Sequence, residues 1–430
     1  SNLLDNLQII HHACNYSPSD HLFSWLPPYH DMGLIAGILS PLFEGMAATL
    51  MSTLDFIVRP SRWVSGMSQY HCTRTGGPNF AYELCSYKTS DEIVKKLDLS
   101  RLEAAANGAE PLNIQTLELF YNKFKPAGLR KGAMLPCYGL AESTVMCSAK
   151  PFMTEEKIIY VDSEELKNNQ ILIVPQQPGS KQLISSGTPF MEIKIVNPNT
   201  LSEAPEFDVG EIWIHGKSVS QGYFNNIEET EKTFNGMLKN GGSKKYLRTG
   251  DLGFIYQNEL FVCGRLKNLI IIHGQNFYPH DIEFAVASCD PHIRIGCVVA
   301  YSTTVAEHEA LTIVAEVQKN TNKNEFPLVI ENIQKTITNH FQLSAHEIFL
   351  IPARAIPKTT SGKLERNRCK ELMEKMSIKP LYEFSQNATC SSLESVQHSG
   401  KKDWLSQLNN APINTRERLL QRLITSLTAE

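Results

Sequence analysis

Four short segments carry side chains whose types and spacing suit chemistry on a nucleotide. Tyr138-Gly139-Leu140-Ala141-Glu142-Ser143-Thr144 offers an aromatic face for stacking, a carboxylate for Mg2+ and two hydroxyls for phosphate oxygens. Thr249-Gly250-Asp251-Leu252-Gly253 holds a carboxylate between two glycines, and an ionised carboxylate can accept both hydroxyls of a ribose. Gly264-Arg265-Leu266-Lys267 places two cations side by side, and Pro357-Lys358-Thr359-Thr360-Ser361-Gly362-Lys363-Leu364-Glu365-Arg366 puts a lysine on a Gly/Ser loop. A mobile lysine can deliver charge to a phosphate and then withdraw. Each segment alone is equally an ordinary turn or a solvated charge pair, so the weight rests on their joint occurrence.

The elements around them read as a layered α/β arrangement. From Asp20 to about Ile195 short apolar runs alternate with helix-length stretches. Helices are expected at Ser61–Tyr70 and Asn79–Ser86, with Arg74-Thr75-Gly76-Gly77-Pro78 as a chain break before the second. Buried strands are expected at Leu102–Ala106 and Ala133–Cys137, with Pro111 starting a helix between them. Leu34–Met51 reads as buried helix and strand, because Ser40, Pro41 and Glu44 interrupt it. Glu192–Val196 and Glu211–His215 alternate with period two, which predicts an antiparallel, barrel-like subdomain. After a boundary at Arg265–Asn268 come strands at Leu269–Ile272, Ile295–Tyr301 and Leu311–Val317 and helices at His280–Ser288 and Pro327–His340, the pattern of a small α+β domain. The expected division is 1–264 for a large domain, 265–380 for a small one, and 381–430 for a linker and helix.

At roughly 150 residues per domain, 430 residues agree with two or three. Apolar residues make up 42%, enough for a large core. The formal charge of -4, from 41 Lys plus Arg against 45 Asp plus Glu, argues against nucleic acid or an anionic membrane surface as partner. No integral membrane segment or signal peptide is visible. The ten cysteines never form a C-x-x-C pair and read as reduced thiols of a cytoplasmic protein.

In family order, the chain carries Leu26-Pro27-Pro28-Tyr29-His30-Asp31-Met32-Gly33-Leu34, Gly77-Pro78-Asn79-Phe80-Ala81-Tyr82, Asn107-Gly108-Ala109-Glu110-Pro111, Tyr138–Thr144, Thr249–Gly253, Gly264–Lys267, Gly274-Gln275-Asn276-Phe277-Tyr278-Pro279 and Pro357–Arg366. These blocks resemble the adenylate-forming enzymes, and within them the fatty acyl-AMP ligases. The resemblance implies a large multi-sheet adenylation domain with a small mobile C-terminal domain. It also implies activation of a medium- or long-chain fatty acid with ATP and Mg2+, giving acyl-AMP and pyrophosphate for transfer to an acyl carrier protein. An acyl-CoA ligase, or an inactive acyl-adenylate or nucleotide-binding module, remains the alternative.

Carried over position by position, the resemblance implies Lys363, Glu142 and His30 in catalysis, with Glu142 also holding Mg2+. It assigns Gly108, Ala109, Glu110, Tyr138, Gly139, Ser143, Thr144, Asp251 and Arg265 to the nucleotide: Tyr138 stacks on adenine, residues 108–110 frame its edge, and Asp251 takes the ribose hydroxyls. Asp31, Met32, Asn79, Phe80 and Tyr82 are assigned to the acyl group, core packing being the other reading of Phe80 and Tyr82. Lys267 takes the hinge position. The stretch between Pro151 and Ser185 resembles the insertion that restrains the small domain in acyl-AMP ligases.

Two departures qualify the match. No Thr/Ser/Gly-rich phosphate loop precedes the first block, and Ser1–Asn6 resembles the helix that follows that loop, so the expectation is a chain cut from something longer that turns over poorly. Ala141 stands where many superfamily members have threonine, which agrees with the acyl-AMP ligase branch. At the other end, Trp404-Leu405, Ala411-Pro412 and Arg416–Leu420 resemble the lead-in to a fused carrier domain, or else form an amphipathic helix that packs on the body.

Overall fold

The computed structural model describes residues 1–305, 308–359 and 362–386; the expected lead-in at Trp404–Leu420 lies outside them. Five parallel strands, β1 (His21–Ser24), β2 (Ala47–Leu50), β3 (Arg74–Gly77), β4 (Ala104–Asn107) and β5 (Met134–Tyr138), form a sheet in the order β2-β1-β3-β4-β5. Antiparallel strands Ser148–Ala149 and Thr188–Pro189 extend it past β5.

The expected break at residues 74–78 is instead the central strand β3. Tertiary burial overrides local propensity here. Gly76 and Gly77 lie against Ala106, Trp63 and Trp25, and buried Arg74 is held by Asp20 at 3.2 Å and Glu103 at 2.8 Å. The stretch from Leu34 divides into an eight-residue π-helix (Met32–Leu39), a short α-helix (Ser40–Glu44) and β2. β2 is an edge strand rather than a buried one, with Leu50 59% exposed.

Helices Ser61–Gln69, Asn79–Lys88 and Ile114–Phe124 cover the sheet. The last begins at Ile114, not at Pro111, because the Asn113 side chain caps the Thr116 N–H at 3.2 Å. Trp25, Phe56, Trp63, Tyr82, Phe120 and Phe124 form an aromatic core, with Trp25 stacked on Phe56 at 3.9 Å between centroids.

The period-two region folds as an antiparallel sheet of Glu192–Val196, Gly210–His215, Leu247–Tyr256 and Glu259–Arg265. Hydrogen bonds from Ser186 N–H to Leu260 O (2.7 Å) and from Leu260 N–H to Gly187 O (2.9 Å) roll its outer edge onto the parallel sheet. Its strand pairing closes no ring among the described residues. Past the 3-10 turn Leu266–Asn268, helices Pro279–Ser288 and Phe326–Phe341 pack on strands Ile293–Val305, His308–Val317, Ala345–Ile351 and Tyr382–Ser385 around a separate core that includes Ile282, Ile313, Ile333 and Ile348. The fourth strand carries this sheet beyond residue 380. Among the described residues no helix is long and apolar enough to cross a membrane.

Candidate active site

A cleft of about 1220 Å³ opens at the carboxyl ends of β4 and β5, where loops of an open α/β sheet collect ligands. Its walls include His30, Asp31, Met32, Gly108, Ala109, Glu110, Tyr138, Gly139, Glu142, Asp251, Arg265 and Lys363. The turns after the two strands are glycine-dependent. A Cβ on Gly108 would lie 2.7 Å from Cys137 O, and one on Gly139 would lie 1.6 Å from Val145 O. Backbone passes too closely for any side chain at either place.

One wall is a row of directly bonded groups. The Tyr138 hydroxyl donates to Asp251 Oδ2 at 2.8 Å, and Arg265, the cross-strand neighbour of Asp251, places Nε 3.5 Å from Oδ1. Thr249 fixes the turn, its Oγ1 accepting the Asp251 N–H at 3.0 Å and donating to Ile212 O at 2.7 Å. Burial pushes the Asp251 carboxyl above its ordinary value; Arg265 and the tyrosine hydroxyl oppose this, while Glu142 and Glu211 add to it. Glu142 Oε1 accepts the Tyr223 hydroxyl at 2.6 Å.

The facing wall carries Lys363. Its turn is closed by Thr359 N–H to Lys363 O and Gly362 N–H to Thr359 O, both 2.8 Å. Burial lowers the Lys363 ammonium from the ordinary lysine value, Glu110 and Asp31 pull it back up, and Arg265 lowers it further. Glu110 is half-buried and pushed up by desolvation, opposed by the Phe80 N–H that it accepts at 2.5 Å and by Lys363, Arg366 and Lys358. Asp31 caps the π-helix through the Met32 N–H at 2.6 Å and meets His30 Nδ1 at 2.6 Å. Burial pushes Asp31 up, but the His30 hydrogen bond and charge, the Met32 N–H and Lys363 hold it below the usual range. Between the walls, Met32, Ala36, Ala106, Cys137, Val145 and Met146 line an apolar recess.

Other expected site residues lie outside the cleft wall. Ser143 is fully buried and donates to Leu140 O at 3.0 Å, and the Thr144 hydroxyl donates to Ser218 O at 2.7 Å. The Ser143 hydroxyl is engaged within its own turn and that of Thr144 by the distant Ser218 carbonyl, and neither lines the cleft. Tyr82 is fully buried, donating to Ala106 O at 2.7 Å and packing edge-on to Phe120. Asn79 ties the end of β4 to the next helix through Asn107, Asn113 and Thr116. Phe80 lies behind Glu110, and Lys267 sits in the turn between the two halves of the chain.

Arg366 and Tyr223 were not singled out from the sequence. Arg366 reaches the cleft while gripping Glu283 with two bonds, 2.7 and 2.6 Å; its place directly after the lysine loop was the available signal. Tyr223 had none. The Pro151–Ser185 stretch forms the hairpin Ile158–Asp162/Ser180–Ile184 and bridges to the C-terminal unit. Lys181 pairs with Asp281 at 2.5 Å and lies over the Tyr278 ring, and Asn276 Nδ2 donates to Lys167 O at 2.9 Å.

Residues 1–224 match the family described as AMP-binding enzyme, and residues 267–379 match the Disco-interacting protein 2-like AMP domain. The chain is 39% identical over 377 residues to the medium-chain-fatty-acid–[acyl-carrier-protein] ligase JamA of Moorena producens, covering 86% of this chain and 63% of that protein. It is 38% identical over 360 residues to a Mycobacterium leprae protein provisionally named fatty-acid–CoA ligase fadD21, covering 81% and 61%. A crystal structure of the Legionella pneumophila fatty acyl-adenylate ligase with acyl adenylate and pyrophosphate aligns with a TM-score of 0.63 at 40% identity, covering 89% of this chain and 67% of that one. The chain spans a little over three fifths of the length of the curated relatives it matches.

Proposed function

The chain belongs to the AMP-binding enzyme family, and from that premise we propose that it activates a medium- or long-chain fatty acid with ATP and hands the acyl group to an acyl carrier protein in the cytoplasm. The observation that carries this reading is the meeting in one cleft of the Tyr138–Asp251–Arg265 row, the opposed Lys363 and the apolar recess between them.

In the first half-reaction a carboxylate oxygen of the fatty acid attacks the α-phosphorus, the bond to the β-bridging oxygen breaks, and pyrophosphate leaves with the electron pair. Catalysis is mainly positioning and charge stabilisation. Tyr138 offers its ring to adenine, and Asp251 exchanges the tyrosine hydroxyl for those of the ribose, with Arg265 beside it. Lys363 draws the two anionic reactants together; a charge pair at about 4 Å is worth roughly 4 kcal/mol at an effective dielectric of 20. His30 and Asp31 close the site above the carboxylate, and the acyl chain enters the recess past Met32. Burial pushes the Cys137 thiol in the recess up to about 12, so it stays protonated and does not compete for the activated acyl group.

No group of three or more His, Cys, Asp or Glu among the described residues could hold a metal by itself. One carboxylate suits Mg2+ that sits mainly on phosphates, and Glu142 would hold it, the ion neutralising phosphate charge. Units 1–264 and 265–380 move about Lys267 between half-reactions, and the Lys181–Asp281 and Asn276–Lys167 contacts limit that swing.

The test is calorimetric titration with a non-hydrolysable dodecanoyl-adenylate mimic. Binding by the wild type and at least about tenfold weaker binding by Asp251→Ala are expected, since hydrogen bonds to a charged group contribute about 1.5–3 kcal/mol. A folded wild type that binds no mimic overturns the reading. The Mycobacterium leprae relative's name favours coenzyme A as acceptor instead; supplying carrier protein and coenzyme A in parallel decides between them by which thioester forms.

A further inference from the structure

Phe80 is not among the residues that line the cleft. Its backbone N–H holds the Glu110 carboxylate, one of the charges that face Lys363. Its ring meets the loop that carries Lys363. Gly362 sits at φ +88°, and a Cβ placed there would lie 2.5 Å from Phe80 Cζ and 3.0 Å from Cε1. Only a residue without a side chain lets the turn approach this ring, and only a flat ring lets the turn settle so closely. Behind it the ring is backed by the aromatic core, edge-on to Trp25 at 6.3 Å between centroids. One residue of the helix Asn79–Lys88 therefore touches both halves of the lysine's surroundings, the carboxylate that attracts it and the backbone that presents it.

We infer that Phe80 is a positioning residue for Lys363: it is the platform on which the Gly362–Lys363 turn docks when the cleft is assembled for adenylation. This rests on the functional reading above for its consequence and on geometry alone for the contact. It differs from the role expected for Phe80 from sequence, that of an acyl-tunnel wall. A tunnel wall senses the length of the acyl chain, whereas a docking platform acts equally on every substrate because it acts through the lysine.

Two measurements separate these roles. Amide hydrogen exchange on the ligand-free chain reports how often the turn leaves its platform. Phe80→Ala is expected to speed exchange at Gly362, Lys363 and Leu364 roughly tenfold, with the helices Ser61–Gln69 and Ile114–Phe124 unchanged, while Phe80→Tyr keeps wild-type protection. Because no ligand is present, this arm stands even if the chain binds no adenylate. Phe80→Leu takes the place of the alanine variant if the latter does not fold. The second arm titrates adenylate mimics with acetyl, octanoyl and dodecanoyl groups. A docking platform changes all three by one common factor, below about tenfold because it acts through Lys363, and a tunnel wall weakens the long chains more. Unchanged exchange at residues 362–364, or a loss that grows with chain length, overturns the inference.

Discussion

On the wall proposed for the nucleotide, Asp251 and Arg265 sit on neighbouring strands paired along their length, and Tyr138 closes β5 beneath them with a direct bond to Asp251. On the opposite wall, Lys363 sits on a short turn held by a few local bonds and by the face of one ring. On the proposed function, groups that recognise the nucleotide throughout are built into a sheet, where fixed geometry costs nothing at the moment of reaction, and the charge proposed for only one of two half-reactions is mounted where few contacts must break to remove it. The C-terminal unit shows a milder form of the same contrast: its own core is continuous, while its ties to the body are Tyr278 packed into the adjoining apolar cluster and polar contacts around Lys181 and Lys167.

The sharpest way to break this comparison is to exchange the symptoms of the two walls. Lys363→Ala is expected to lower the rate of adenylate formation by about 10²–10³, the scale for losing one preorganised stabilising group, while binding of the acyl-adenylate mimic changes by less than about tenfold. Asp251→Ala should do the reverse, affecting mimic affinity first. Pyrophosphate exchange and calorimetry on both variants provide the check. If Lys363→Ala abolishes mimic binding as completely as Asp251→Ala, the loop is part of the fixed site and the distinction fails.

A smaller effect is expected at the ties between units. Lys181→Ala removes a half-buried ion pair and its contact with the Tyr278 ring. Because such pairs contribute little to global stability, about 1 kcal/mol or less, the unfolding midpoint should hardly move. Exchange along Pro279–Ser288 should rise several-fold, since local opening becomes cheaper than global unfolding. A large drop in unfolding midpoint with no local change would mean that the two units share one cooperative core.

That Tyr138, Glu142, Asp251 and Arg265 meet in one cleft was legible in the sequence, because they sit in short motifs at strand ends that report their place locally. What long-range packing decides was not legible. Arg-Thr-Gly-Gly is a poor strand by propensity and becomes β3 only because Trp25, Trp63 and Ala106 close around it. Ser143 and Thr144 carry the right hydroxyls for phosphate, but their own turn engages the first and the distant Ser218 carbonyl the second. The pairing of Lys181 with Asp281 and the meeting of Phe80 with Gly362 join distant segments that no local pattern links.

The finest test uses protonation, because Glu83, on the helix Asn79–Lys88, responds to charge on the lysine loop. Burial and then the charge of Glu110 push the Glu83 carboxyl up to about 7, against the pull of Lys358 from the lysine loop. Its ordinary value is 4.5, so the folded chain binds the extra proton between those values, and stability falls as pH rises from about 4.5 to about 7. His280 slopes the other way. Burial lowers it from 6.5 to about 4, with Asp281 opposing and Lys181 and Arg366 assisting, so stability rises with pH across that range and is complete above about 6.5. The two slopes oppose each other in the wild type. Glu83→Gln should expose the His280 slope alone, steepening the rise in urea midpoint between about pH 5 and 6.5, by an effect of about 1–3 kcal/mol at most. Coincident pH profiles for the wild type and Glu83→Gln would mean that Glu83 ionises as in solution and does not sense the charge on the lysine loop.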